Sequence, residues 1–176
     1  MIKARVGTFI LGVFVLLISF SGCATEPVPP KFLADTDAYT KDPKNDVLVE
    51  ILAVGSDGTP YLNESVTFNM TKSFLGNTDT SRQETPYALR IPFDNFIAQA
   101  KPAYTKLSSA DKLRAQVLLA QQLLITIVAQ SQNESYGVIG IIYFAGKQQV
   151  VDKAAIPYGM INLSYSIPVE DLLNKE

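Results

Sequence analysis

The chain has no histidine and no tryptophan, and its one cysteine is Cys23. Without histidine, a triad that uses imidazole as its base and a histidine-ligated metal site are both excluded. The side chain that ordinarily titrates near neutrality is missing too. A lone cysteine cannot close a disulfide within the chain. Neither charge sign dominates: 15 Lys and Arg stand against 17 Asp and Glu, scattered, for a net charge of −2. That leaves no electrostatic footprint for nucleic acid. Phosphate-binding glycine loops, a dinucleotide fingerprint and a Gly-x-Ser-x-Gly elbow are also lacking, and Ser73 has Gly76, not lysine, three residues on. A glycosidase needs only two carboxylates, but no acid lies in a sequence setting that points to a raised pKa. Glu50 comes nearest, on a strand expected to have one wet face. The chain therefore reads as non-enzymatic, with neither cofactor nor metal.

What is present begins at the N-terminus. Lys3 and Arg5 precede an uncharged, largely apolar run of 15 residues, 6–20, and then Phe20-Ser21-Gly22-Cys23. A run of this length fits the apolar core of an export signal and is short of the roughly 20 residues that cross a bilayer. Ser21 and Gly22 are small enough to enter a protease cleft, and Cys23 supplies a thiol. These residues resemble the bacterial lipobox, although Phe20 stands where a branched aliphatic residue is usual. The resemblance implies cleavage between Gly22 and Cys23, with a covalent lipid on Cys23. Ala24 is not the aspartate associated with inner-membrane retention, which favours the outer membrane. Release as a soluble secreted product and retention as an uncleaved anchor are the alternatives.

Removal of residues 1–22 leaves 154 residues, enough for one domain. Residues 23–46 read as the lipidated cysteine and a flexible tether. Pro27, Pro29 and Pro30 favour an extended, solvated backbone. Asp35, Asp37, Asp42 and Asp46 lack the spacing and glycine of an EF-hand, so they read as a solvated acidic linker. Phe32 and Tyr39 are apolar enough to lie on the domain instead.

Residues 47–176 read as strands around a helical insertion at about 93–122. Val47, Val49 and Ile51 alternate into a first strand, and 65–71 forms a second that is expected to make a hairpin with it. Residues 72–84 are polar and read as a loop, followed by a short strand near 89–92. Phe93, Phe96, Ile97 and Ala100 share a helical face that Pro102 is expected to end, and Ser108 with Asp111 opens a further helix. The segment 123–128 is read as a strand, with a continuous helix to Ala129 as the rival. The apolar run 136–144 is a central buried strand, 148–156 a more polar one, and 160–167 the last. A helical turn is expected over 169–174. The fold class is mainly β with inserted helices, a transthyretin-like or immunoglobulin-like sandwich.

The run 136–143, the polar strand ending Ala155-Ile156-Pro157 with a glycine turn at Gly159 and a last alternating strand after it, and Asp57-Gly58-Thr59-Pro60 before Val66-Thr67-Phe68 resemble TssJ. That family comprises outer-membrane lipoproteins of type VI secretion systems. The resemblance implies a transthyretin-like sandwich that ties a TssM-like inner-membrane protein to the outer membrane. It assigns partner contact to Asp57, Gly58, Thr59 and Pro60, which composition alone reads as a hairpin turn. Periplasm-facing binding of a small ligand or peptidoglycan, or help in outer-membrane assembly, is the other reading.

Overall fold

The computed structural model describes residues 46–173. Cys23, Gly22, the tether prolines, Phe32 and Tyr39 lie outside the described residues. The described residues form nine strands, in the order β1 (Asp46–Val54), β2 (Pro60–Tyr61), β3 (Thr67–Phe74), β4 (Asn77–Glu84), β5 (Tyr87–Pro92), β6 (Leu124–Ser131), β7 (Gly137–Phe144), β8 (Lys147–Ala154) and β9 (Met160–Ser166). Helices α1 (Asp94–Tyr104) and α2 (Ser109–Gln122) are inserted between β5 and β6, and α3 (Val169–Leu173) follows β9.

The strands form two antiparallel sheets. In the first, β1 lies between β7 on one side and β2 and β5 on the other, with β8 beyond β7. In the second the order is β4-β3-β6-β9. The inward rows meet in one core: Val47, Val49 and Ile51 of β1 and Val138, Ile142 and Phe144 of β7 pack with Phe68, Met70, Ile125, Ile127, Ile161 and Leu163 of the second sheet. Leu172 and Leu173 of α3 and Phe93 and Tyr104 at the ends of α1 belong to the same core. The architecture is thus a mainly β, two-sheet sandwich with a few helices.

Several expectations are corrected. The segment 72–84 is not a loop, since β3 runs on to Phe74 and turns through Leu75-Gly76 into β4. Positive φ at Leu75 (49°) and Gly76 (76°) makes this the two-residue turn whose twist matches its strands. Ala145-Gly146 repeats it between β7 and β8 (51° and 74°). The strands near 47–52 and 65–71 do not pair as a hairpin but lie in opposite sheets; β1 pairs instead with the two-residue β2. Pro102 sits inside α1 and does not end it. It forfeits one backbone hydrogen bond, and the helix continues two residues past it to the buried Tyr104. Asp46 is no linker residue: it opens β1, is buried, and accepts from both Nε and Nη2 of Arg90 on β5. Glu50 has no wet face. The segment 123–128 is settled as strand β6, the helix ending at Gln122.

Candidate functional site

Three places bear on function; the sequence singled out the first and, in the second, only Glu50. The connection from β1 to β2 carries Asp57, Gly58, Thr59 and Pro60. Asp57 Oδ1 accepts from the Thr59 backbone N–H at 2.9 Å, and Oδ2 accepts from the Thr59 hydroxyl at 2.8 Å. These hydrogen bonds hold the Asp57 carboxyl below its ordinary pKa. The Gly58 N–H donates to the Gly55 carbonyl at 2.9 Å, and Gly58 sits at φ +82°, a conformation suited to glycine. Lys153 Nζ reaches the Gly58 carbonyl from β8 at 3.5 Å. The four residues are brought together, but their polar groups are spent on the turn itself. Asp57→Ala should loosen this connection by removing both hydrogen bonds, read as a small fall in urea midpoint.

The second place is the outward row of the first sheet. Because side chains alternate along β1, Asp46, Leu48, Glu50, Leu52 and Val54 point away from the sandwich core. From β7, Ile139, Ile141 and Tyr143 join them, with Leu48 opposite Tyr143 and Glu50 opposite Ile141. Glu50 is 0 % exposed. Burial raises its pKa to about 7, and Tyr143, diagonal to it, offsets part of that rise by favouring the charged form. Neither carboxyl oxygen closes a well-formed hydrogen bond among the described residues. A carboxyl of this kind can exchange a proton near neutrality. Neighbouring Leu48, Ile141, Leu52 and Ile139 offer no nucleophile beside it.

The third place is the pair α1 and α2. Ser108 caps α2, its Oγ accepting from the Asp111 N–H at 3.3 Å, as the sequence predicts. Gln116 Nε2 donates to the Tyr104 hydroxyl at 2.9 Å and to Glu170 Oε1 at 2.8 Å, tying α2 to α1 and α3. Between the helices runs a cleft of about 350 Å³ lined by Ala100, Ala103, Tyr104, Leu107, Leu118 and Leu119, among others. No residue of α2 is buried. Leu113, Val117 and Leu118 are 65 %, 61 % and 66 % exposed. Lys106, Lys112 and Arg114 are nearby in the chain, and Lys112 Nζ stands 5.7 Å from the centre of the Tyr104 ring. The sequence shows the helical spacing of Leu113 and Val117, but spacing alone cannot tell a core-facing stripe from one left outside.

Among the described residues no group of three or more Asp, Glu, His or Cys is placed to hold a metal ion, and no helix is long and apolar enough to cross a membrane. No protein-family model matches the chain, and no curated protein matches it.

Proposed function

We propose that this chain is a non-enzymatic lipoprotein, anchored through Cys23 in the outer membrane and facing the periplasm, that holds a protein partner with its helical pair. One observation carries the partner half of this reading: an apolar cleft beside an exposed Leu113-Val117-Leu118 row on a helix none of whose residues is buried. Exposed apolar side chains in contiguous groups mark interaction surfaces. Residues 94–122 carry Lys101, Lys106, Lys112 and Arg114 against Asp94 and Asp111, a net excess of base on a chain that is acidic overall. The occupant it suits is an amphipathic helix with acidic flanks. A periplasmic segment of a TssM-like inner-membrane protein is the partner that the TssJ resemblance supplies, and the sandwich would then be of the transthyretin-like kind.

Two measurements test it. Palmitate labelling and membrane fractionation should show Cys23→Ser unlabelled and released; equal labelling removes the anchor from the proposal. A pull-down with the lipidated protein should recover one envelope-spanning inner-membrane protein, and Leu118→Asp should reduce that recovery at least about tenfold, as expected for a central apolar contact. The Asp57–Pro60 turn is the competing contact. If Asp57→Ala abolishes recovery and Leu118→Asp leaves it intact, the helical pair is not the docking surface.

A further inference from the structure

The Asp57–Pro60 connection belongs to a wider surface, at the end of the sandwich away from the helical pair. Register places the two ends. α1 follows Pro92, opposite Asp46, and α2 leads into Leu124, opposite Ser166. At the other end Val54 lies opposite Gly137, and Gln130 opposite Met160. The loops there carry Tyr61, Tyr136 and Tyr158. Tyr61 and Tyr136 meet edge to face, their ring centres 5.6 Å apart. Gly55 admits the Tyr61 ring, because a Cβ at 55 would stand 2.8 Å from its Cε2 atom. Gly137, next to Tyr136, packs as closely on the Ile156 carbonyl, two residues before Tyr158. Ile156 and Met160 leave their side chains exposed on the same loop.

Tyr158 stands there at a conformational cost. Ile156-Pro157-Tyr158-Gly159 is a turn closed by the Gly159 N–H on the Ile156 carbonyl at 3.0 Å. Tyr158 takes φ +57° at its third position, where glycine or asparagine is the unstrained residue. Its N–H donates to the Asn133 carbonyl at 3.2 Å, and its carbonyl accepts from Gln130 Nε2 at 3.5 Å. The Gly159 carbonyl accepts from the Ser131 N–H at 2.9 Å, so the strained backbone is fixed from both sides. Tyr158 is nevertheless 50 % exposed, and core packing does not account for the strain. Strain that holds a side chain outward is a mark of ligand clamps.

We infer that this end of the sandwich binds a glycan, a chain of N-acetylated amino sugars. A pyranose presents a C–H face that lies against an aromatic ring, and a rim of hydroxyls that needs amide and carboxylate partners. The tyrosines supply the first. Exposed Asn63, Gln132 and Glu134 supply the second, with Glu134 beside the Tyr158 hydroxyl. Ile156 and Met160 give the acetamido methyl groups an apolar seat. Charge sets aside phosphorylated and other anionic ligands. Asp57, Glu64 and Glu134 are exposed, and Lys153, which reaches these loops, turns to the Gly58 carbonyl. A basic peptide would need free carboxylates in number, whereas Asp57 is committed to Thr59 and the loops are rich in amide and hydroxyl groups. This surface is separate from the helical pair, and a protein held by that pair leaves it open.

The test is a calorimetric titration of the full chain in detergent with the β-1,4-linked tetramer of N-acetylglucosamine. Cellotetraose, which lacks the acetamido groups, is the comparison and should bind more weakly. Tyr158→Gly should weaken binding of the N-acetylated tetramer at least about tenfold, as for loss of an aromatic anchor. Its Tm should hold or rise, because the position favours glycine. A ring with only a structural role would not separate binding from stability in this way. Tyr158→Phe should keep the affinity, and Leu118→Asp at the other end should leave it unchanged. No binding of the tetramer at millimolar concentration, equal binding of cellotetraose, or binding of trilysine in place of the sugar overturns the site. So does affinity that survives Tyr158→Gly. If Tyr158→Gly lowers Tm, Tyr61→Ala decides, and undiminished affinity in a folded Tyr61→Ala chain overturns the site.

Discussion

Gly137→Ala is expected to abolish the folded domain, or to destabilise it by more than about 4 kcal/mol, the range reserved for changes the backbone cannot absorb. A Cβ at position 137 would fall 1.7 Å from the Ala154 carbonyl oxygen and 2.8 Å from that of Ile156. Both obstacles are main chain. β7 cannot retreat, because it is paired on its other side with β1, Val54 opposite Gly137. β8 is hemmed in too: Gly159 packs against Ala154 and Ile156, its own Cβ position lying 2.7–2.9 Å from their atoms. Two glycines thus enclose the strand end where the first sheet passes into the second. Gly76→Ala is the control. Gly76 has a positive φ but nothing within 4 Å of a Cβ, so only conformational strain of about 1 kcal/mol is expected. Urea unfolding of both variants checks the contrast, and a cooperative transition near the wild-type midpoint for Gly137→Ala would refute it.

Stability should fall as pH rises through the neutral range, and Glu50→Gln should remove that fall. The folded state raises the Glu50 pKa from 4.5 to about 7, so it binds the proton more tightly than the unfolded chain does. The contribution is fully present below pH 4.5, is lost progressively up to about pH 7, and stays lost above it. A shift of this size corresponds to about 3 kcal/mol, or roughly 10 °C in Tm for a domain of this length. Glu50→Gln should therefore melt well above wild type at pH 8 and close to it at pH 4.5. The Asp57 carboxyl works in the opposite direction, its pKa being lowered, and its contribution is lost only as pH falls through the acid range. Melting curves of the two proteins at five pH values between 4.5 and 8.5 decide the matter. Parallel Tm profiles would mean that Glu50 is not ionising within the fold.

Legibility in the sequence followed the environment of each segment. β7 was plain because both its faces are buried and it reads as one apolar run. β6 was recoverable because Ile125, Ile127 and Ala129 alternate inward, while Thr126 and Val128 face the other way. The cap at Ser108 marked the start of α2. β4 was invisible: Asn77 to Glu84 contains no apolar side chain, and only its pairing with β3 makes it a strand. Asp46 and Glu50 misled for a different reason. An alternating strand at the start of a sandwich ordinarily wets one face, and no pattern within β1 reveals that both of its rows are buried. The same limit applies to Leu113, Val117 and Leu118, whose spacing is identical whether a helix stripe is buried or bare. Cys23, by contrast, drew its meaning from the chain around it, through the lone thiol, the short apolar run and the small residues before it.

The polar composition of β4 has a consequence at the scale of many molecules. Among the described residues β4 is an outer strand of its sheet, paired with β3 on one side, and none of them pairs with its other side, a row of backbone donors and acceptors. Such a row invites a neighbour's strand to add on. Copies at high local density meet edge to edge, and an apolar β4 would convert those meetings into growing intermolecular sheet. Asp79, Arg82 and Glu84, together with hydroxyls at Thr78, Thr80 and Ser81, keep that edge hydrated. Crowded copies can collide there and part again.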